Sequence, residues 1–391
     1  MEAVSDIERA KRLVQGGDPD AAFDILDEIL KENPNDVPAL LMATSIMDKA
    51  RRLTAAYQYA KRVADLAPNS SASWTNLGRI SGQLYQDREA EAAFKKAIEL
   101  SNKPRERTLC YSNLAGHYVT AGKWEVGKQY ALKAIELDEN NHKAHGNLGI
   151  AKLALGEWSD GWEHYGHILG SEYRKLIKYR AKDEPEWKGE AGSKVVVYGE
   201  QGLGDELSFA SMIPDAVKRA GKIIIDCDER LESLFKRSFP GAKVYGTRWK
   251  KEAQWDDEDQ DPDHSISVGQ LGTIFRTKAS DFDGEPYLIP EKERHFMWHE
   301  YFKTKHKPVI GIAWSGGLDW TGKRYRKWDL KQLQPIFDAV DAHWVCLQYK
   351  DATAEIEAFK GAAIHQYKFA TLSKDYDDTA GLVSACDLVI C

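Results

Sequence analysis

The chain repeats itself. Helical hairpin patterns close on Pro34 in ENP, on Pro68 in LAP and on Asn140 in IELDEN, and they recur at a period of about 34 residues. A hairpin of two short amphipathic helices cannot bury its apolar stripes alone, so each unit must stack on the next. The clearest copy runs over residues 71–104, with Trp74, Leu77 and Gly78 on the first helix and Ala90, Phe94 and Ala97 on the second. Residues 108–141 repeat it with Tyr111, Leu114, Ala115, Tyr118, Ala131 and Ala134, and residues 142–175 with His145, Leu148, Gly149, Gly161, Tyr165 and Ile168. Weaker copies over 3–36 and 37–70 keep Ala22 with Pro34 and Ala56 with Pro68.

This register resembles the tetratricopeptide repeat, which implies a short right-handed superhelix of five hairpins whose concave face is lined by the first helices. Asn76, Asn113 and Asn147 occupy the same repeat position. An asparagine amide both donates and accepts, so a ladder of three could hold the backbone of an extended peptide. The simpler alternative is that Asn before Leu-Gly is common in such repeats.

Composition narrows the partners. The 54 Lys and Arg against 61 Asp and Glu give a formal charge of −7, which argues against general affinity for nucleic acid or anionic lipid. Five scattered cysteines without a CxxC pair suggest neither a disulfide framework nor a zinc site. With no apolar run of membrane-span length and no signal-peptide pattern at the start, the expectation is a cytoplasmic protein in a reducing compartment.

Residues 156–188 are rich in large rings, among them Trp158, Trp162, Tyr165, Tyr173, Tyr179 and Trp187, too many for a flexible linker. From Lys194 the periodicity changes. KVVVY, a glycine loop, a helix from about Asp205 to Ala220, KIIID and a helix from about Glu229 to Arg237 read as a parallel β-α-β-α unit. The alternation restarts at Pro308 with PVIGIAW, LKQLQPIFDAV, HWVCLQY and DLVI, giving two Rossmann-like units in tandem. KKEAQWDDEDQDPDH between them reads as a solvated acidic excursion, without the spacing or glycine of a calcium loop.

The loop VYGEQGLGDELSFA is neither a P-loop nor a GxGxxG fingerprint. Asp205 and Glu206 fall on the first helical turn, where an acid complements the dipole and repels a pyrophosphate. The loop suits presentation of a carboxylate better than binding of a phosphate.

From Gly156 onward the chain resembles bacterial tetratricopeptide proteins with a glycosyltransferase-like domain, relatives of heptosyltransferases and peptide O-GlcNAc transferases. The matching residues are Gly161-Trp162 with Tyr165, Trp187-Lys188-Gly189, GEQGLGDELSFA, PYLIP (286–290), IGIAWSGG (310–317), VCLQY (345–349) and DYDDTAGLVSACDLVI (375–390). The resemblance implies the GT-B fold, with the acceptor on the first Rossmann-like domain and a nucleotide-sugar on the second. It makes Asp205 the catalytic base, with Gly202 and Gly204 shaping the acceptor side and His264 as a further acceptor-side candidate; the plainer role for Asp205 is a helix cap. Ser315, Gly316 and Gly317 with Arg326 are expected to hold the diphosphate, with Lys323 and Arg324 as surface charge. Asp378 and Thr379 open a helix as donor-side candidates, or merely cap it. No metal and no other cofactor are expected, and DxD-like triplets such as Asp226-Cys227-Asp228 are read as chance in so acidic a chain.

In those relatives the strand DLVI is followed by Asp-Thr and His-Leu-Ala segments, whereas here it is followed only by Cys391. The second Rossmann-like domain is expected to be truncated and the sequence to be a fragment. The expected fold is thus α plus α/β. A tetratricopeptide solenoid spans 1–175 and a junction 176–193. A first Rossmann-like domain follows over 194–306 and an incomplete second over 307–391. The function expected is metal-independent inverting sugar transfer, with the repeats recruiting a protein or peptide. The alternative is a non-catalytic interaction adaptor.

Overall fold

The computed structural model describes residues 6–167, 184–250, 255–317 and 323–391. They form two compact units, Met1–Leu155 and Gly156–Cys391. Among the described residues no helix is long and apolar enough to cross a membrane.

The first unit is a stack of helices: α1 (Asp6–Gln15), α2 (Pro19–Glu32), α3 (Val37–Lys49), α4 (Leu53–Leu66), α5 (Ser71–Gln83), α6 (Asp87–Leu100), α7 (Pro104–Thr120), α8 (Trp124–Leu137) and α9 (His142–Ala154). Local chemistry sets their starts. The side chains of Asp18, Asp36, Ser70 and Asn141 accept the backbone N–H three residues on, and Pro19, Pro38 and Pro104 sit in first turns where no N–H is needed. The tight turns inside successive hairpins pass through a left-handed residue at corresponding places: Gly17, Arg51, Tyr85, Gly122 and Gly156. One step in this series is longer, and α7 absorbs it with 17 residues against 13 in α3, α5 and α9. That extra turn is why residues 105–107 fall between two copies of the repeat.

The anchor positions read from the sequence are the packing positions. Leu77, Ala90, Phe94, Ala97, Leu114, Ala115, Ala131, Ala134 and Leu148 are all buried. A Cβ on Gly78 would lie 2.9 Å from the Phe94 ring, so the glycine is a close-approach residue.

The second unit opens with α10 (Trp158–Gly166), which the sequence pattern assigns to the last hairpin. Its Trp162 lies against Gly272 and donates its indole N–H to the Arg276 carbonyl at 2.9 Å, so α10 is built into the α/β core. Tyr173 and Tyr179 lie outside the described residues, while Trp187 is fully buried in the first α/β core.

Next come β1 (Lys194–Tyr198), α11 (Leu203–Phe209), α12 (Ile213–Arg219), β2 (Lys222–Asp226), α13 (Glu232–Ser238), β3 (Ala242–Tyr245), β4 (His264–Ser267), α14 (Gly272–Phe275) and α15 (Lys292–Lys303). They are followed by β5 (Val309–Ile312), α16 (Gln334–Ala339), β6 (His343–Cys346), α17 (Thr353–Ala358), β7 (Ile364–Gln366), α18 (Lys368–Thr371), α19 (Tyr376–Ser384) and β8 (Leu388–Ile390). Two parallel four-stranded sheets result, ordered β3-β2-β1-β4 and β7-β6-β5-β8. In each, the first strand in sequence is central and the direction of winding reverses beside it.

The structure corrects several expectations. The single helix from Asp205 to Ala220 is two, α11 and α12, joined by a 3-10 turn at Ala210–Met212 just before Pro214. The strands β3, β4 and β7 were not legible, because AKVY, HSIS and IHQ are short and partly polar. Helix α15, placed by sequence in the first Rossmann-like domain, packs Trp298 and Phe302 with Val309 and Val345 of the second sheet. The acidic stretch is not wholly solvated. Trp255 stacks on Tyr198 and Tyr245, and Asp259 is fully buried, where it binds Lys222 Nζ at 2.5 Å and accepts the Tyr245 hydroxyl.

Candidate functional site

Ligands of open parallel sheets bind beyond the carboxyl ends of the strands, where the winding reverses. In the first sheet that place is the loop after β1. The Gly199 N–H donates to the Asp226 carbonyl at 2.7 Å, which ties the loop to the end of β2. Gln201 follows in the left-handed region, φ 56°, and Gly202 then leads into α11. Gly202 and Gly204 are both exposed, and nothing lies within 4 Å of where a Gly204 Cβ would stand.

Asp205 is half-buried, and its Oδ2 accepts the Gly202 N–H at 2.9 Å. It therefore caps its own helix from inside the first turn.

Glu206, its neighbour, is buried, with 1% of its surface exposed. Its carboxylate accepts the Asp228 N–H at 3.0 Å and an N–H of Arg248, and it lies so close under Gly199 that a Cβ there would approach its Cδ to 2.6 Å. Burial drives the Glu206 pKa upward and the Arg248 charge pulls it back, leaving it at about 7. Arg248 is itself buried, and its second terminal nitrogen donates to the Gln201 carbonyl at 2.7 Å. The loops after β1, β2 and β3 are thus held by one buried ion pair. From the other side Gln201 donates to the Tyr165 hydroxyl of α10, and Glu200 accepts the Gly269 N–H at 2.8 Å.

Next to this pair the buried Asp228 binds Arg230 through Nε at 2.8 Å and Nη2 at 2.9 Å. Burial opposes the charge of Asp228, but the Arg230 hydrogen bonds outweigh it and hold the carboxyl down at about 2. The Trp249 indole N–H also donates to Asp228, at 2.9 Å. Asp226, the acid at the end of β2, accepts the Thr247 hydroxyl at 2.8 Å and is buried.

The corresponding loop in the second sheet follows β5. Ser315 forms a bridge with Lys327, and the buried Gln348 amide closes on it, its nitrogen donating to the Ser315 carbonyl at 2.8 Å and its oxygen accepting the Ser315 N–H at 3.1 Å. Gly316 has open space around it, and Gly317 takes a φ of 76° while its carbonyl accepts the Tyr349 hydroxyl at 3.0 Å. Arg326 is exposed at the end of a 3-10 turn that also holds Arg324, and Lys327 reaches Glu355 at 3.3 Å. Ser315, Gly316 and Gly317 are consecutive in this loop, and the segment that holds Arg326 is paired to it through the Ser315–Lys327 bridge.

The remaining candidates fall elsewhere. Asp378 is bound by Arg294 at 2.7 Å and Thr379 donates to the Ala370 carbonyl at 2.7 Å, while the residue that caps α19 is Asp375, which accepts the Asp377 N–H at 3.0 Å. The helix opens earlier than the sequence suggested. His264 pairs with Val195 near the start of β1, so it lies at the amino end of the sheet, opposite the glycine loop. In the repeats, Asn147 donates to the Ser112 carbonyl at 3.0 Å and Asn113 accepts from Lys143 at 2.6 Å, and Asn76 is half-buried. Two of the three asparagines therefore bridge neighbouring helices of the stack.

A family model for the tetratricopeptide repeat matches residues 13–80. The chain carries tetratricopeptide repeats. It is 25% identical over 378 residues to Protein FlbA of Caulobacter vibrioides, covering 91% of this chain and 63% of that protein, so it spans less than two thirds of that relative's length. It is 25% identical over 130 residues to the general transcriptional corepressor ssn6 of Schizosaccharomyces pombe, covering 33% of this chain and 12% of the corepressor. Similar solved structures include TTC0263, a thermophilic TPR protein of Thermus thermophilus, at 18% identity and TM-score 0.37 over 43% of this chain and 90% of that one. Another is YrrB, described as a TPR protein with an unusual peptide-binding site, at 16% identity and TM-score 0.35 over 44% of this chain and 88% of that one.

Proposed function

We propose that the chain couples a protein-binding repeat stack to a glycosyltransferase-like α/β unit of GT-B type, which transfers a sugar from a nucleotide-sugar without a metal. The observation that supports this most is the duplication. Two parallel sheets share one strand order, and each carries a glycine loop at its winding reversal, the setting in which such folds take ligands. In this reading Asp205 accepts the proton of an acceptor hydroxyl, the Ser315 to Gly317 loop and Arg326 hold the diphosphate, and the Glu206–Arg248 pair keeps the first loop in shape.

A thermal-shift panel of UDP, GDP, ADP, CMP and dTDP tests it. One nucleotide is expected to stabilise the protein by roughly 2.7 kcal/mol at about 100 times its dissociation constant, and Arg326→Ala is expected to abolish the shift. A folded full-length protein, including any residues downstream of Cys391, that responds to none of them would remove the transferase reading.

A second reading, a non-catalytic interaction adaptor, is favoured by particular contacts. The Asp205 carboxylate is engaged in capping its own helix, and Asp378 and Thr379 are tied to Arg294 and Ala370. Pull-down by the intact chain of a protein that is then released by substitutions on the first helices, with no nucleotide response, would support that reading.

A further inference from the structure

We propose that His295 and His299 on α15 form an exchangeable site for a divalent transition-metal ion of the zinc and copper type, held through their two Nε2 atoms. The site stands apart from the transfer reading, which uses no metal. Ser384, to which His295 is bound, closes α19 before β8 begins, toward the amino end of the second sheet and away from the Ser315 to Gly317 loop.

The two histidines are four residues apart, so they stand one turn from each other on the same face of the helix. Their rings face each other, with centroids 5.8 Å apart and planes 25° from parallel. Metal–nitrogen bonds of about 2.0–2.1 Å place the centroids of two imidazoles on one ion roughly 4.5–5 Å apart. A small rotation of His299, whose side chain is 50% exposed, closes that difference. The helix itself need not move, because Trp298 and Phe302 anchor it in the second core and Arg294 binds Asp375 and Asp378.

The neighbours prepare both rings as ligands. The Ser384 hydroxyl donates to the Gly381 carbonyl at 2.9 Å, so its proton is committed and its oxygen accepts from His295 Nδ1, also at 2.9 Å. His295 therefore carries its proton on Nδ1 and its lone pair on Nε2. His299 Nδ1 lies 3.7 Å from the Glu300 carboxylate, which favours the same tautomer electrostatically. Metal-binding histidines are oriented in this way, the second nitrogen turned to a neighbouring acceptor. The rings of His343 and His365 stack more closely, at 4.4 Å, but His343 Nε2 is engaged with the Tyr367 hydroxyl. Two neutral imidazoles suit zinc, copper or nickel rather than magnesium or calcium, and they leave further coordination positions to water, as an exchangeable ion requires.

Calorimetric titration of ZnCl₂ into the full chain, first freed of metal with a chelator and dialysed, tests the proposal. An ion is expected to bind with an affinity that falls tenfold or more in His295→Ala and in His299→Ala, and about tenfold in Ser384→Ala. His299 is exposed, so His299→Ala is expected to keep the wild-type melting temperature. In long-range ¹H–¹⁵N spectra of the wild type, zinc is expected to shift Nε2 of both histidines while Nδ1 of His295 keeps its proton. Absence of zinc binding, zinc affinity unchanged in both histidine variants, or loss of the His295 Nδ1 proton on zinc binding would overturn the proposal. The nucleotide shift is expected to be the same in His299→Ala as in the wild type, so this site and the transferase reading fail separately.

Discussion

Asp205 and Glu206 are neighbours in sequence and opposites in setting. The sequence pointed to the loop and to Asp205, because three glycines before a helical first turn are a local signal. Glu206 carried no such signal, since its partner Arg248 lies 42 residues away in a stretch without periodicity. The same blindness hid Gln348, which fixes Ser315 from another strand end. Burial raises the Glu206 pKa in the folded protein to about 7, above its ordinary value, so its contribution to stability is complete at low pH and is lost as pH rises through 7. We expect the melting temperature to fall between pH 5 and 8 more steeply in the wild type than in Glu206→Gln, as followed by circular dichroism; parallel curves would show that Glu206 does not titrate there. His343 behaves in the opposite sense. Burial, with His365 and Lys305 nearby, lowers it to about 4, so its contribution is complete above about pH 6.5 and lost as the pH falls towards 4. His343→Gln is expected to make acid unfolding shallower over that interval.

At the scale of elements, the repeats were legible because their information is local and recurs. Caps, small residues and the left-handed turn position come back in each hairpin, so an error in one copy is corrected by the next. Gly78→Ala is expected to destabilise the stack by about 1–3 kcal/mol in urea denaturation, since the added methyl meets the Phe94 ring. The α/β elements were legible where a β-branched run announced them, as in KVVVY and KIIID, and not where a strand was short. Helix α10 shows the limit of pattern reading: its repeat signature is real, but Trp162 is seated against Gly272, far along the chain. Gly272→Val is expected to unseat that indole and to increase protease sensitivity around Trp158–Gly166 while α1 to α9 remain protected.

At the scale of the whole molecule, the halves of the α/β unit are joined through α19. Asp377 on α19 is bound by Arg237 and by the Ser233 hydroxyl of α13, at 2.7 Å for the latter, and Tyr376 and Ala380 pack against the first core. Asp377→Ala leaves Arg237, whose side chain is 27% exposed, without this partner, and losing such a half-buried charged hydrogen bond costs about 1.5–3 kcal/mol. The expected result is a denaturation profile in which the unit loses its single transition; an unchanged profile would show that apolar packing alone joins the halves. Charge and composition could not foretell this, because the partners lie in distant segments that no pattern relates.

The sheet pairings also set an order of events in time. Among the described residues the helices of the repeat stack pack chiefly on helices one or two places away in the chain, whereas β1 must wait for β4, beginning at His264, before its second edge is closed. Local contacts form quickly and parallel pairing slowly. A chain emerging from the ribosome therefore has its repeats folded and able to engage a partner while the first sheet is still incomplete.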